Sequence, residues 1–535
     1  MAPGARRWLL AVWLCFVARG VFHAVLLPLW EGYDEWAHVA YVQLLAYGGG
    51  LPELGRTGVS REVQESLFLT PLPYGHFDLG RPFLTHDDYW RLPATEREQK
   101  RRQLTGMPRR WAREHATAPL LNHEAQQPPL YYAMLAPIQW AAGGASLPVR
   151  VLLMRLASLL VASMTILLGF AVARAVFRSD ALAAGTAALI SAMPGFVMTA
   201  GRVANDGLAA VIFAALAWVM VSGDRLRGTV WAPLAGALLG AGLLTKAYFL
   251  TAAPAVALVC AWRVWRSRGA RARATLAAAV VFGVAGALAG WWYVRNQALT
   301  GTWSGLQQVA ARRNLSLWDL AARIPDVDWR RFLDAVFLSH VWSGNWSFLQ
   351  LRSWIYHLLA AVAVLAAAGL LASVWRDRET RPGALVLAGF YGFFWLGLCY
   401  HELTFSVLGL SSGAGWYLSA VAAVEATLAV LGLTALSPAP CRRFVPLAGT
   451  VLFALLDLYA THFLLMPYYT GLTAHRAGGS LESFHLSQLG GGGFQTMMSR
   501  MALAPPATFV VWLCFLAATL ALPLAAGLAA RSKLS

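Results

Sequence analysis

Charge is scarce in this sequence. Lys, Arg, Asp and Glu make up 13% of its 535 residues, where soluble domains carry about 25%. With 58% hydrophobic residues and a mean hydropathy of +0.53, the chain reads as a polytopic membrane protein. Cysteine is scarcer still, at five. Cys15, Cys260, Cys399 and Cys514 fall inside apolar runs and Cys441 in a short basic loop, so no disulfide framework is implied. Acidic residues number 26 against 43 basic ones, leaving a net charge of +17. That excess does not indicate nucleic acid, because the arginines lie in short clusters between apolar runs, as the positive-inside rule places them.

Other signals are missing. Arg6-Arg7 followed by an apolar run opens like a signal peptide, but Arg19 and His23 interrupt it and no small-x-small cleavage site follows. It reads as an uncleaved anchor that keeps Asp34 at the membrane surface. No internal repeat is visible, although a six-plus-six symmetry would favour a transporter. The run Gly490–Gly493 lacks the Lys-Ser/Thr and the preceding strand of a phosphate loop, and reads as a flexible lid or linker.

What is present is a succession of apolar runs, with 23 tryptophans and 16 tyrosines, many near the run ends as in interfacial belts. A first span covers about Trp8 to Pro28, and a long polar loop occupies 29–148. Within that loop, Pro128–Ala142 is shorter than the ~20 residues a span needs and opens with Pro-Pro. Were it to cross, the cluster Arg263, Arg266, Arg268, Arg271, Arg273 would lie outside. Laid along the surface, it leaves every short basic loop inside: Arg174/Arg178, Arg225/Arg227, that cluster, Arg376/Arg378/Arg381, Arg442/Arg443 and Arg531/Lys533. Spans are then expected near 8–28, 149–173, 181–200, 207–222, 230–245, 248–265, 274–294, 353–374, 383–401, 415–436, 444–465 and 506–530. Kinks are expected in the Gly185–Pro194 and Pro254 regions. The expected fold is an all-α polytopic membrane protein of about twelve transmembrane helices, both termini cytoplasmic, with interfacial helices in the long first extracytoplasmic loop. A second external loop covers 295–352.

On this topology polar residues gather at one membrane face. Glu31-Gly32-Tyr33-Asp34-Glu35-Trp36-Ala37-His38 follows the first span; a helix from Asp34 would put Asp34, His38 and Tyr41 on one face. His123-Glu124-Ala125-Gln126-Gln127-Pro128-Pro129-Leu130-Tyr131-Tyr132 leads into the interfacial helix. Arg202-Val203-Ala204-Asn205-Asp206, Leu244-Thr245-Lys246 and Trp291-Trp292-Tyr293-Val294-Arg295-Asn296 lie at other span ends. Each has a structural alternative: Asp34 or Asp206 as an N-cap, Glu35 favouring a helix dipole, Lys246 and Arg295 snorkelling. His123-Glu124 is not a zinc-protease motif, since Gln127 stands at the second histidine and Pro-Pro breaks the helix. Acidic and basic groups collected on one face of a membrane are harder to assign to structure alone.

In order, Asp-Glu after the first span, Glu-x-x-x-Pro-Pro-Leu-Tyr-Tyr, Asp206 after the third, Thr-Lys, and Trp-Tyr-x-x-Arg-Asn resemble the glycosyltransferase C superfamily, which includes protein O-mannosyltransferases and lipid A aminoarabinose transferases. The resemblance covers about 1–300, a catalytic module of seven spans, and leaves 301–535 as a variable transmembrane part. There Gly415-Trp416-Tyr417-Leu418 stands where related sequences often have Gly-Arg-Tyr-Leu. The resemblance implies transfer of one sugar, hexosyl or pentosyl, from a polyprenyl-phosphate donor to a lipid, glycan or protein acceptor at the extracytoplasmic face, with inversion. A carboxylate must take the hydroxyl proton, and Asp34 is the expected base, with Glu35 and Asp206 as further catalytic candidates. Lys246, Arg202 and Arg295 are the expected phosphate ligands. His38, His123, Glu124, Tyr131 and Asn205 are expected around the acceptor or cavity. A divalent metal on Asp34, His38, Glu124 and Asp206 is an alternative source of positive charge.

Two other classes share these residues: a lipid-linked substrate transporter or flippase, and a non-catalytic subunit that binds lipid-linked sugars. Placement at one face rather than midplane disfavours transport. No large soluble domain follows the last span, which disfavours an oligosaccharyltransferase with a globular tail. The sequons Asn314-Leu315-Ser316 and Asn345-Trp346-Ser347 matter only in a eukaryotic secretory pathway, and the Ala- and Arg-rich composition fits a bacterial plasma-membrane protein.

Overall fold

A computed structural model of the chain describes residues 3–73, 81–115, 120–223, 228–311, 316–406, 409–476, 479–502 and 505–531. Arg225, Arg227, Lys533 and the Asn314-Leu315 half of the first sequon lie outside the described residues. Among the described residues the fold is helical and without strands; the extended contacts are isolated bridges such as Gly58 with Leu121 and Ser60 with His115.

A helix occupies each of the twelve expected span positions. Among the described residues, eight helices are long and apolar enough to cross a membrane, or nine if the bent pair Asp180–Ala192 and Pro194–Ala200 is one span. Asp206–Val221 and Gly228–Leu243 have 16 residues each, below the ~20 of a full span. Both pack closely among their neighbours. Gly236 sits so close to the Val281 backbone that a Cβ would collide with it, which lets Gly228–Leu243 lie directly on Arg271–Thr300. Gly369 and Gly432 do the same for Ser353–Arg376 against Ala422–Leu436.

The expected kink before Pro194 is a 67° bend. Proline ends the ladder there, and the freed carbonyls of Ser191 and Ala192 accept from the Arg19 guanidinium, which also pairs with Asp457 at 2.7 Å. An arginine inside the first span is thereby fully satisfied. Pro254, by contrast, leaves Phe249–Arg266 continuous.

Leu130–Ala141 is 12 residues long, about 18 Å, too short to cross. It packs against Glu35–Ala46 and Leu147–Phe177. The rest of the first loop is a folded body, because a buried ion pair anchors it: Glu62 with Arg150, joined by Gln43 and Ser60. The glycine run near 490 is a tight turn rather than a linker. Gly491 and Gly492 adopt φ of 59° and 91°, conformations that suit glycine, and lead into Gly493–Ser499.

Candidate active site

The chain leaves the first helix, Pro3–Leu26, and turns into Glu35–Ala46 through Trp30 and Asp34, both at positive φ. Asp34 stands at the N-cap position with φ 53°, yet its side chain makes no capping bond. A left-handed aspartate costs on the order of 1 kcal/mol, and here it turns the carboxylate away from the helix. That carboxylate accepts from His123 Nε2 at 2.9 Å. The helix starts at Glu35 rather than Asp34, and His38 and Tyr41 on it both meet Tyr132. His38 Nδ1 and Tyr132 Oη are 2.9 Å apart, and Tyr41 stacks on Tyr132 at 3.9 Å.

His123 begins a short 3-10 turn, His123–Gln126, whose preceding Asn122 accepts from Glu124 N and donates to the Ala37 carbonyl. The turn is thus fixed to the helix that follows Asp34. Trp36 presents its ring edge-on to His123 at 5.0 Å. Glu124 lies between the two imidazoles, with Oε1 at 3.8 Å from His123 Nε2 and Oε2 at 3.8 Å from His38 Nδ1. Its Oε2 is buried and accepts no hydrogen bond.

Charges follow from this packing. Burial would raise Asp34, but the charge and hydrogen bond of His123, with His38 and Lys246 behind, hold it below the ordinary carboxylate range. Burial would lower His123, but Asp34 outweighs it and keeps it at about 9. Burial, opposed by His123 and reinforced by Asp34, lifts Glu124 to about 7. Burial and the Lys246 charge push His38 to about 3, so it is neutral. Near neutral pH the pair is carboxylate and imidazolium, beside an acid poised to titrate.

Next to this triad lies a cationic cluster. Asp206, the first residue of Asp206–Val221, accepts from Lys246 Nζ at 2.7 Å and Arg202 Nη2 at 3.3 Å. Two cations on one carboxylate leave one positive charge in surplus. Asn205 donates to the Thr245 carbonyl at 3.0 Å and to Gln127 Oε1 at 3.3 Å, which ties the turns bearing Asp206, Lys246 and Glu124 together. Tyr417 lies within electrostatic reach of Asp34, Glu124, Asp206 and Arg202, and the Lys246 ammonium is 5.2 Å from its ring centroid. An aromatic wall completes this end: Tyr33 stacks on Trp416 at 3.9 Å and 14°, with Trp346 and Phe348 each 5.9 Å from Tyr33. Arg202 lies over the Tyr33 ring at 4.6 Å.

Asp34, His123, Glu124, Asp206, Lys246, Arg202 and Asn205 thus come together, with Tyr131 packed beside the turn that bears Asp206, whereas Glu35 and Arg295 are engaged by other partners. Glu35 is fully buried, and Arg155 takes both its oxygens, at 2.7 and 2.5 Å, while Val203 N donates to one of them at 3.0 Å. So held, it anchors the turn that carries Asp34. Arg295 donates to the Pro52 carbonyl at 2.8 Å and flanks Trp292, away from Asp206. Tyr131 is buried with its hydroxyl 2.7 Å from Ser158 Oγ, so it holds its helix to Leu147–Phe177. Donor atoms of Asp34, His123 and Glu124 all lie within 4.8 Å of one another, the spacing of a cation's ligands. His38 and Asp206 stand outside that group, engaged by Tyr132 and Lys246.

Sequence reasoning missed Arg155, Tyr132 and the wall of Tyr33 with Trp416. The signal for Arg155 was an arginine inside an apolar run, which must find an anion. For Trp416 it was the missing arginine of Gly-Arg-Tyr-Leu.

Residues 132–302 match a family model described as dolichyl-phosphate-mannose-protein mannosyltransferase, a stretch that includes Asp206 and Lys246 but not Asp34. No curated protein matches the sequence. Among solved structures, ArnT from Cupriavidus metallidurans bound to undecaprenyl phosphate is similar at 14% identity and a TM-score of 0.48, over 99% of this chain and 77% of that one. The archaeal oligosaccharyltransferase AglB from Archaeoglobus fulgidus, in complex with an inhibitory peptide and a dolichol-phosphate, is similar at 13% identity and 0.44, over 100% and 57%. This chain therefore spans little more than half of AglB. Residues 132–302 are thus similar to dolichyl-phosphate-mannose-protein mannosyltransferases, within a chain whose described residues include eight or more helices long and apolar enough to cross a membrane.

Proposed function

We propose that the protein transfers one sugar from a polyprenyl-phosphate donor to an acceptor hydroxyl at the extracytoplasmic face, inverting the anomeric carbon. The acceptor oxygen attacks that carbon as Asp34 takes its proton. The bond from carbon to phosphate oxygen breaks, and the lipid phosphate leaves with the electron pair. A phosphate needs no acid to leave, but it does need positive charge, which Lys246 and Arg202 supply through the surplus over Asp206. The Tyr33–Trp416 stack offers an apolar face for a sugar ring.

The observation that carries this reading is the meeting of the Asp34–His123 pair with the Arg202–Lys246–Asp206 cluster around Tyr417. His123 holds Asp34 in one orientation at some cost in basicity. A second reading makes Glu124 the base, since its Oε2 is free and it is lifted to about 7, close to an operating pH. The donor set of Asp34, His123 and Glu124, one oxygen of it unpartnered, suits a divalent cation. Such an ion would add Lewis-acid charge toward the leaving phosphate.

The test is purified protein in liposomes with a labelled polyprenyl-phosphate sugar and a panel of acceptors. Sugar transfer supports the reading. Movement of intact donor between leaflets with no transfer to any acceptor overturns it in favour of a transporter.

A further inference from the structure

Away from the Asp34 site, a cavity of about 270 Å³ opens where the end of Pro3–Leu26 and the start of Leu147–Phe177 meet the loops. Its walls are mainly apolar, among them Leu26, Leu104, Val151, Leu152 and Met501. Arg155 also lines it, and because that guanidinium is bound to Glu35, the ion pair stands between this cavity and the Asp34 turn.

One side of the cavity is built differently. Trp90 and Arg500 line it, the Arg500 guanidinium 4.5 Å from the Trp90 ring, and Arg97, not itself a wall of the cavity, brings a second guanidinium to 5.3 Å from the same ring. Arg500 donates to the Thr470 carbonyl at 2.6 Å and Arg97 to the Trp90 carbonyl at 3.1 Å and to Leu92 O. Among the described residues neither has a carboxylate within ion-pair distance. Burial and the Arg97 charge together lower Arg500, the mark of two cations held together without an anion. The Trp90 Nε1–H is buried and makes no hydrogen bond. An unused donor beside two uncompensated cations, at an apolar cavity formed by span ends, is chemistry for an amphiphile with an anionic head.

We propose that this cavity binds an anionic phospholipid, its chain among Leu26, Val151 and Leu152 and its phosphate on Arg97, Arg500 and the Trp90 N–H. The site is independent of the sugar-transfer reading. Its walls come from both the first loop and the segment 469–502, so a bound lipid would fasten these two together.

Native mass spectrometry of the delipidated full chain in neutral detergent tests this, with phosphatidylglycerol, phosphatidylcholine, undecaprenyl phosphate and inorganic phosphate as probes. One phosphatidylglycerol should be retained in preference to phosphatidylcholine, with inorganic phosphate failing to displace it. Arg97→Gln with Arg500→Gln should weaken retention at least about tenfold, the loss expected for charge-assisted bonds. Leu152→Trp, which fills the cavity and leaves both arginines, should weaken it too, and it serves alone if the arginine variant does not fold. Equal retention by the wild type and a folded variant would overturn the proposal. So would equal binding of both phospholipids, displacement by inorganic phosphate, or displacement by undecaprenyl phosphate at equal concentration, which would make the cavity a donor path.

Discussion

Arg155→Met removes a guanidinium that holds five groups: two Glu35 oxygens and the carbonyls of Ala24, Leu27 and Pro28, the last three at 3.0, 2.6 and 2.9 Å. The pair is almost entirely sealed, at 4% and 0% exposure, so solvent does not screen it. Removing one partner of a buried pair costs about 3–5 kcal/mol, because the other charge stays buried and alone. Against a total stability of about 5–15 kcal/mol that is a large fraction. Glu35→Leu together with Arg155→Met leaves no lone charge and should recover most of the loss, a coupling of roughly 2 kcal/mol or more. Unfolding in detergent micelles, followed for both singles and the double, measures this. Since Asp34 precedes Glu35 directly, turnover by Arg155→Met should fall even at temperatures where it stays folded. A loss below about 1 kcal/mol, or a double variant as unstable as the two singles summed, would refute the reasoning.

Three further outcomes follow from the geometry. In metal-free buffer, turnover should stay level from pH 8 down through pH 5, because a base held below the ordinary carboxylate range is lost only when pH falls further; an acid limb near 7 would assign the proton to Glu124. Lys246→Ala reduces the local surplus of charge to zero and should weaken donor binding by about one to two decades, measured by equilibrium binding of labelled donor; unchanged affinity would remove Lys246 from the phosphate site. For orientation, a cysteine replacing exposed Arg102 should label from outside and one replacing exposed Ala270 only from the cytoplasm. Outside labelling at 270 would reverse the topology.

Positions of helices were readable because twenty-residue apolar runs admit few alternatives in lipid. Helices of 16 residues such as Asp206–Val221 have the same apolar pattern at a length below the ~20 residues of a full span. Asp34, Asp206, Lys246 and His123 stood out because charge beside an apolar run is conspicuous. Which of two adjacent acids turns into the site was illegible: Asp34 and Glu35 differ only through a backbone rotation to φ 53° and an arginine 120 residues further on. Arg202 and Arg295 look alike in sequence, yet one finds Asp206 and the other the Pro52 carbonyl, a choice made by loop packing. The Trp416 stack on Tyr33 joins segments nearly 400 residues apart, beyond the reach of local patterns.

The central claim is that Asp34 takes the acceptor proton. Asp34→Asn keeps the shape and a hydrogen-bonding oxygen for His123 but cannot accept that proton. Single-turnover sugar transfer should fall by roughly 10²–10⁴-fold while the affinity for labelled polyprenyl-phosphate sugar is retained. Transfer at the wild-type rate by Asp34→Asn would contradict the account.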